Sequence, residues 1–150
     1  MMRFLRVVYV VAIAVVLVLV VIFGVEAFYP APSSPEYDPP TWDYNSTEYQ
    51  EWQQEWEEAQ EEYQQEVAAY HRNIFFIVLP LGAVFAFGGT FIRRRLDIFG
   101  AGLILGGIGT MISAITPYDL DNILRFAGIA ATLAVLVFVG FKVFFSLRRS

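Results

Sequence analysis

Residues 47–92 read TEYQEWQQEWEEAQEEYQQEVAAYHRNIFFIVLPLGAVFAFGGTFI, and the reading of this stretch decides the fold. Its first part is dominated by Glu, Gln, Ala and Tyr, with no Gly or Pro before Pro80, the composition of a strong helix former. Asn45, Ser46 or Thr47 supplies the cap. Thr47 with Gln50 fits a capping box, and Glu48 and Glu51 place negative charge where the helix dipole favours it. From Ile74 to Ile92 the chain turns apolar for about the ~20 residues that a bilayer-spanning helix requires. Nothing breaks the helical pattern where the acidic part meets the apolar part, so one helix is expected to run from water into lipid. At about 1.5 Å per residue, Thr47 to Arg72 would rise on the order of 40 Å above the bilayer. Pro80 is expected to kink the apolar part, because it removes a helix hydrogen bond and crowds the Phe76 carbonyl.

Three further segments have the same spanning length: Val7 to Phe28, Ile98 to Thr116 and Ile123 to Phe145. The expected fold is therefore an all-α membrane protein, four transmembrane helices in an up-down bundle, the second extended outward as an acidic amphipathic stalk. The corresponding divisions are 1–28 (N-terminus and first span), 29–72 (outer loop), 73–92 (second span), 93–97 (basic loop), 98–116 (third span), 117–122 (short outer loop), 123–145 (fourth span) and 146–150 (tail). A content of 57% hydrophobic and 17% aromatic residues at a net charge of -5 suits four spans and one polar loop better than a soluble domain. The chain has no cysteine, which excludes disulfides, thiolate nucleophiles and cysteine metal sites.

Cations vote on orientation, since Lys and Arg collect in cytoplasmic flanks. Arg3, Arg6, Arg93, Arg94, Arg95, Lys142, Arg148 and Arg149 fall on one side, and only Arg72 and Arg125 on the other. Both termini are thus expected in the cytoplasm of a cell carrying this protein in its plasma membrane, with 29–72 and 117–122 outside. Arg93, Arg94 and Arg95 would anchor the chain at the membrane surface, against anionic lipids. Arg3, Arg6, the apolar run and Val25-Glu26-Ala27 also resemble a secretory signal peptide, whose cleavage after Ala27 would leave three spans. The run is longer than the usual signal core, which favours a retained anchor.

Residues 30–42 hold five prolines in thirteen positions and are expected to form an extended, polyproline-like strap. Within 47–72, Tyr49, Trp52, Trp56, Ala59, Tyr63, Val67 and Tyr70 recur at steps of three and four, so they share one helix face. Aromatic ridges of this kind are enriched at interface hot spots. Three partners fit: the same helix of another subunit, the strap folded back with Tyr37, Trp42 and Tyr44, or a different protein. The remaining faces are acidic, since residues 29–72 contain eleven Asp or Glu and a single Arg. The stripe Glu48, Glu51, Glu55, Glu58 and Glu62 is either a solvated face or a field that docks a basic partner.

The third span carries Gly102, Gly106, Gly109 and Ser113 on one face with Gly107 beside it, and small residues let membrane helices pack closely. Gly82, Ala86 and Gly89 play this part in the second span, and Gly128, Ala131 and Ala134 in the fourth. His71, the sole histidine, reads as an interfacial anchor. Asn45-Ser46-Thr47 matches the glycosylation acceptor pattern as well as a cap. The Asp119 to Asn122 cluster reads as a cap for the last helix.

No ionisable residue falls near the middle of a span, which disfavours a pump or carrier. Catalytic residues, metal sites and cofactors are expected to be absent, because one histidine and no cysteine cannot build the usual nucleophile-base pairs or zinc sites. A long first outer loop, a short second one and cytoplasmic ends resemble claudin-like tetraspan proteins in outline, without the cysteines and loop motifs of that family. The expected function is a non-enzymatic interaction or assembly subunit. Tyr49, Trp52, Trp56, Tyr63 and Tyr70 would contact a second copy or another membrane or extracytoplasmic protein, and no nucleic acid. The alternative is a homo-oligomeric cation channel subunit whose acidic stalks ring an outer vestibule.

Overall fold

The computed structural model describes residues 2–40, 44–92 and 97–148. More than three-quarters of the chain is helical, in four helices: α1 (Met2–Phe28), α2 (Thr47–Phe91), α3 (Asp97–Ile115) and α4 (Asn122–Arg148). There is no strand among the described residues. All four helices are long and apolar enough to cross a membrane. Arg93, Arg94 and Arg95, together with Trp42, lie outside the described residues.

The 45-residue helix α2 runs unbroken through the acidic-to-apolar boundary and through Pro80, whose ring lies on an exposed face. Its cap is Ser46, in extended conformation (φ -73°, ψ 145°), whose Oγ accepts the Tyr49 N–H at 3.1 Å. Thr47 is therefore the first helical residue, and the expected Thr47–Gln50 box gives way to the pair one residue earlier. Helix α4 begins where the Asp121 carbonyl accepts the Arg125 N–H at 2.9 Å.

Helix α3 is the hub. It packs against each of the other three helices, and α4 also packs against α2. Small residues permit this, but they do so on two faces rather than one. Gly102, Gly106 and Gly109 take Ile13, Leu17 and Val18 of α1. Gly100 and Gly107 meet Gly89, Gly82 and Ala86 of α2. A Cβ added at Gly107 would stand 2.5 Å from both the Ala86 nitrogen and the Gly82 oxygen, so here backbone touches backbone. Ser113 turns its hydroxyl onto the Thr110 carbonyl of its own helix at 2.7 Å. The residue pairs also give direction: α1 and α3 advance together, whereas α2 and α3 advance oppositely.

Helix α1 offers a single narrow stripe, Val10, Ile13, Ala14, Leu17, Val18, Val21 and Val25, and exposes most of its remaining apolar surface. Helix α4 turns Gly128, Thr132, Val135 and Val139 inward; Ala134, read as a packing residue, faces outward. Two apolar clusters result. Val21, Phe75, Val78, Ala114 and Leu120 lie nearer the acidic half of α2, and Ala86, Met111, Val135 and Val139 lie beyond them. The buried Thr110 and Thr132 satisfy their hydroxyls on the carbonyls of Gly106 and Gly128, both at 2.8 Å, and so introduce no orphan polar group. Lys142 sits 3.4 Å from the Phe91 ring centroid and ties α4 to the end of α2.

Candidate interaction surface

The aromatic ridge of α2 is covered by the strap of the same chain. At its base, Tyr29 stacks on Tyr70 with centroids 5.3 Å apart and planes 4° from parallel, and its hydroxyl accepts Asn73 Nδ2 at 2.9 Å. Higher up, Tyr37 meets Trp52 and Trp56 edge to face, at 5.0 Å and 5.2 Å. At the tip, Tyr44 meets Tyr49 at 5.0 Å. Trp52 and Trp56 lie nearly parallel at 6.2 Å, which forms the platform for Tyr37. Tyr63, half-buried on the same face, completes the five ridge residues.

Helix geometry explains how so short a strap stays in step with so long a helix. A polyproline-like chain rises about 3.1 Å per residue and an α-helix about 1.5 Å, so one strap residue covers two helix residues. Tyr29 to Tyr37 thus climbs roughly 25 Å, and Tyr70 to the midpoint of Trp52 and Trp56 roughly 24 Å. The same ratio puts the half-buried Pro32 and Pro35 at the heights of Gln64 and Glu58. Prolines suit the task, since they stay extended without needing the donors that a strand would have to pair.

The two edge-to-face contacts of Tyr37 contribute about 0.5–1.5 kcal/mol each beyond their area. One opposing effect is visible: the Trp56 Nε1–H is covered and meets no acceptor, which costs about 1–3 kcal/mol. Burial raises the Tyr49 phenol above its ordinary range, helped by its hydrogen bond to Tyr37 and by the nearby Tyr37 and Tyr44 oxygens. Burial likewise raises Tyr70, with Glu26 and Tyr29 adding to it.

Glu48, Glu51, Glu55, Glu58 and Glu62 are all exposed. The structure thus separates two features that the sequence interleaves: rings turned toward the strap and carboxylates turned to solvent. Comparison with known proteins finds no matching family model, no matching curated protein and no matching solved structure.

The base of this unit lies beside the connection between the last two helices. His71 Nδ1 lies 3.5 Å from Asp119 Oδ2, in the α3–α4 connection. Arg125 Nη2 donates to the carbonyls of Pro117 at 2.8 Å and Tyr118 at 3.3 Å, which closes that connection. The contribution of Tyr29 was not foreseen in the sequence. The signal was present, since a ring eight residues before Tyr37 and a ring about sixteen residues from the tryptophan pair obey the two-to-one rise.

Proposed function

We propose that this chain is an integral membrane interaction subunit that presents the acidic half of α2 as a braced stalk outside the membrane. In this reading the four spans form an up-down bundle with both termini in the cytoplasm of a plasma membrane. Arg93, Arg94 and Arg95 then face anionic lipids. The observation that carries the reading is the continuity of α2: a 45-residue helix whose apolar half is packed and whose acidic half is braced by the strap. A rigid post of this kind holds a binding face at fixed height and orientation.

Charge favours a different protein over a second copy as the partner. Two stalks with eleven acidic residues and one arginine between residues 29 and 72 would repel each other side by side. A partner with a basic face gains from the same field. Tyr37, at 53% exposure, offers apolar contact among the carboxylates. The glycines of α3 are occupied by packing within the chain, which argues for assembly over a glycine-lined pore.

The test is the native mass of the protein taken from its own membrane into a lipid nanodisc. We expect a complex with another polypeptide, dissociating more readily as salt rises and lost when Glu51, Glu55, Glu58 and Glu62 become Gln. A complex of unchanged size and salt resistance in that variant refutes the acidic docking face. Trp52→Ala with Trp56→Ala should loosen the same complex while leaving insertion intact.

A further inference from the structure

We propose that Asn45 is an N-glycosylation site, the acceptor of an oligosaccharide delivered on a polyprenyl phosphate carrier. The inference rests on the reading above that residues 29–72 lie outside the membrane. Asn45-Ser46-Thr47 fits the acceptor pattern Asn-X-Ser/Thr, and helix capping is the competing explanation of the same residues. The structure separates the two. The N-cap is the middle residue, through the Ser46 Oγ bond to the Tyr49 N–H. The modification needs the other two, the carboxamide of Asn45 and the hydroxyl of Thr47, and both residues are exposed.

Position supports it as well. Asn45 lies in the turn ahead of α2, outside the helix, and Ser46 is extended. Thr47 to Arg72 puts this turn roughly 39 Å above the apolar half of α2, clear of the membrane surface that would obstruct a transferase. Asn73 and Asn122 are followed two residues later by Phe75 and Leu124, so neither carries the required hydroxyl. They serve as internal controls.

In the transfer, Asn45 Nδ2 attacks C1 of the first sugar and forms the C1–N bond. The bond from C1 to the carrier phosphate oxygen breaks, and its electron pair leaves with the polyprenyl phosphate. The amide proton passes to a base of the transferase, and nothing is oxidised or reduced. The sugar would crown Tyr44 and Tyr49 at the tip. A docking partner is thereby kept from the tip and left the flanks of the stalk, with Tyr37 among their carboxylates.

The experiment is mass spectrometry of the full chain purified from its own membranes. An oligosaccharide on Asn45 is expected, absent in Asn45→Gln and in Thr47→Ala, retained in Thr47→Ser, and retained in Ser46→Ala, which removes the cap alone. Unmodified Asn45 in the wild-type chain overturns the proposal. Because the chain has no cysteine, Ser34→Cys gives a unique thiol for a membrane-impermeant maleimide applied to intact cells. Labelling of Cys at that position with an unmodified Asn45 overturns glycosylation and leaves the topology standing. Labelling only after permeabilisation overturns both.

Discussion

Replacing Tyr37 by Ala should release the strap from the middle of α2. Two edge-to-face contacts would be lost, at 5.0 Å and 5.2 Å, which is about 1–3 kcal/mol. The ring is 53% exposed, so roughly 100 Å² of it is shielded, a further 2.5 kcal/mol or so. Part of this returns, because Ala still covers some surface and the freed Trp56 Nε1–H regains water, recovering about 1–3 kcal/mol. The net is about 1–3 kcal/mol, a roughly 5- to 150-fold fall in the ratio of docked to released strap. Tryptophan emission reads it cleanly, since the three tryptophans of the chain are Trp42, Trp52 and Trp56 and the apolar helices contain none. In nanodiscs the variant should emit further to the red and expose Trp52 and Trp56 to a soluble quencher, while Tyr37→Phe, which keeps the ring and loses only the hydrogen bond with Tyr49, should shift less. Emission and quenching identical to wild type in Tyr37→Ala would refute the clasp.

Gly107→Leu should separate α2 from α3, since its side chain meets backbone at 2.5 Å on two sides; a loss of at least about 1–3 kcal/mol is expected in bilayer unfolding measurements. Gly88→Ala, with nothing within 4 Å, should be neutral or stabilise by up to about 1 kcal/mol in the same assay. Ser46→Ala should cost about 1 kcal/mol of helix stability, seen as faster amide exchange at residues 47–50 and unaltered exchange in α3. Tyr49 and Tyr70 ionise above the ordinary value of 10.0, so the folded state holds their protons more tightly than the unfolded chain. The stability this contributes is fully present below that value and is lost as pH rises through the raised pKa values; tryptophan emission should shift to the red there, and less so in Tyr49→Phe.

The spans and the continuity of α2 were legible because each rests on a long, one-signal pattern: apolar runs of bilayer length, and a helical composition without a breaker before Pro80. The choice of cap was not, since Asn45, Ser46 and Thr47 are equally good candidates and only geometry assigns the Tyr49 N–H to Ser46. The ridge was legible as a face that needs cover, but a row of rings does not say which surface covers it. Tyr37 and Tyr29 do so through the ratio of two helical rises, a relation between segments that no single window contains. The α3 glycines were legible as a packing face, but not as two faces with two partners. Gly106 and Gly107 are neighbours in sequence, yet about 100° apart around a helix, and they serve different partners. Arg125, which counted against the charge vote, is engaged by the carbonyls of Pro117 and Tyr118, a local role that a count of charges does not register.

The dependence of α1 on α3 has a consequence for biogenesis. Helix α1 docks on a surface that is made much later than itself: Ile13 packs at Gly102, 89 positions down the chain. At about 5–20 residues per second, α1 would wait roughly 4 to 18 s in lipid before its berth exists. Such a segment must tolerate solitude, and the uniform run of Val, Ile, Leu and Phe around all sides of α1 is what allows it.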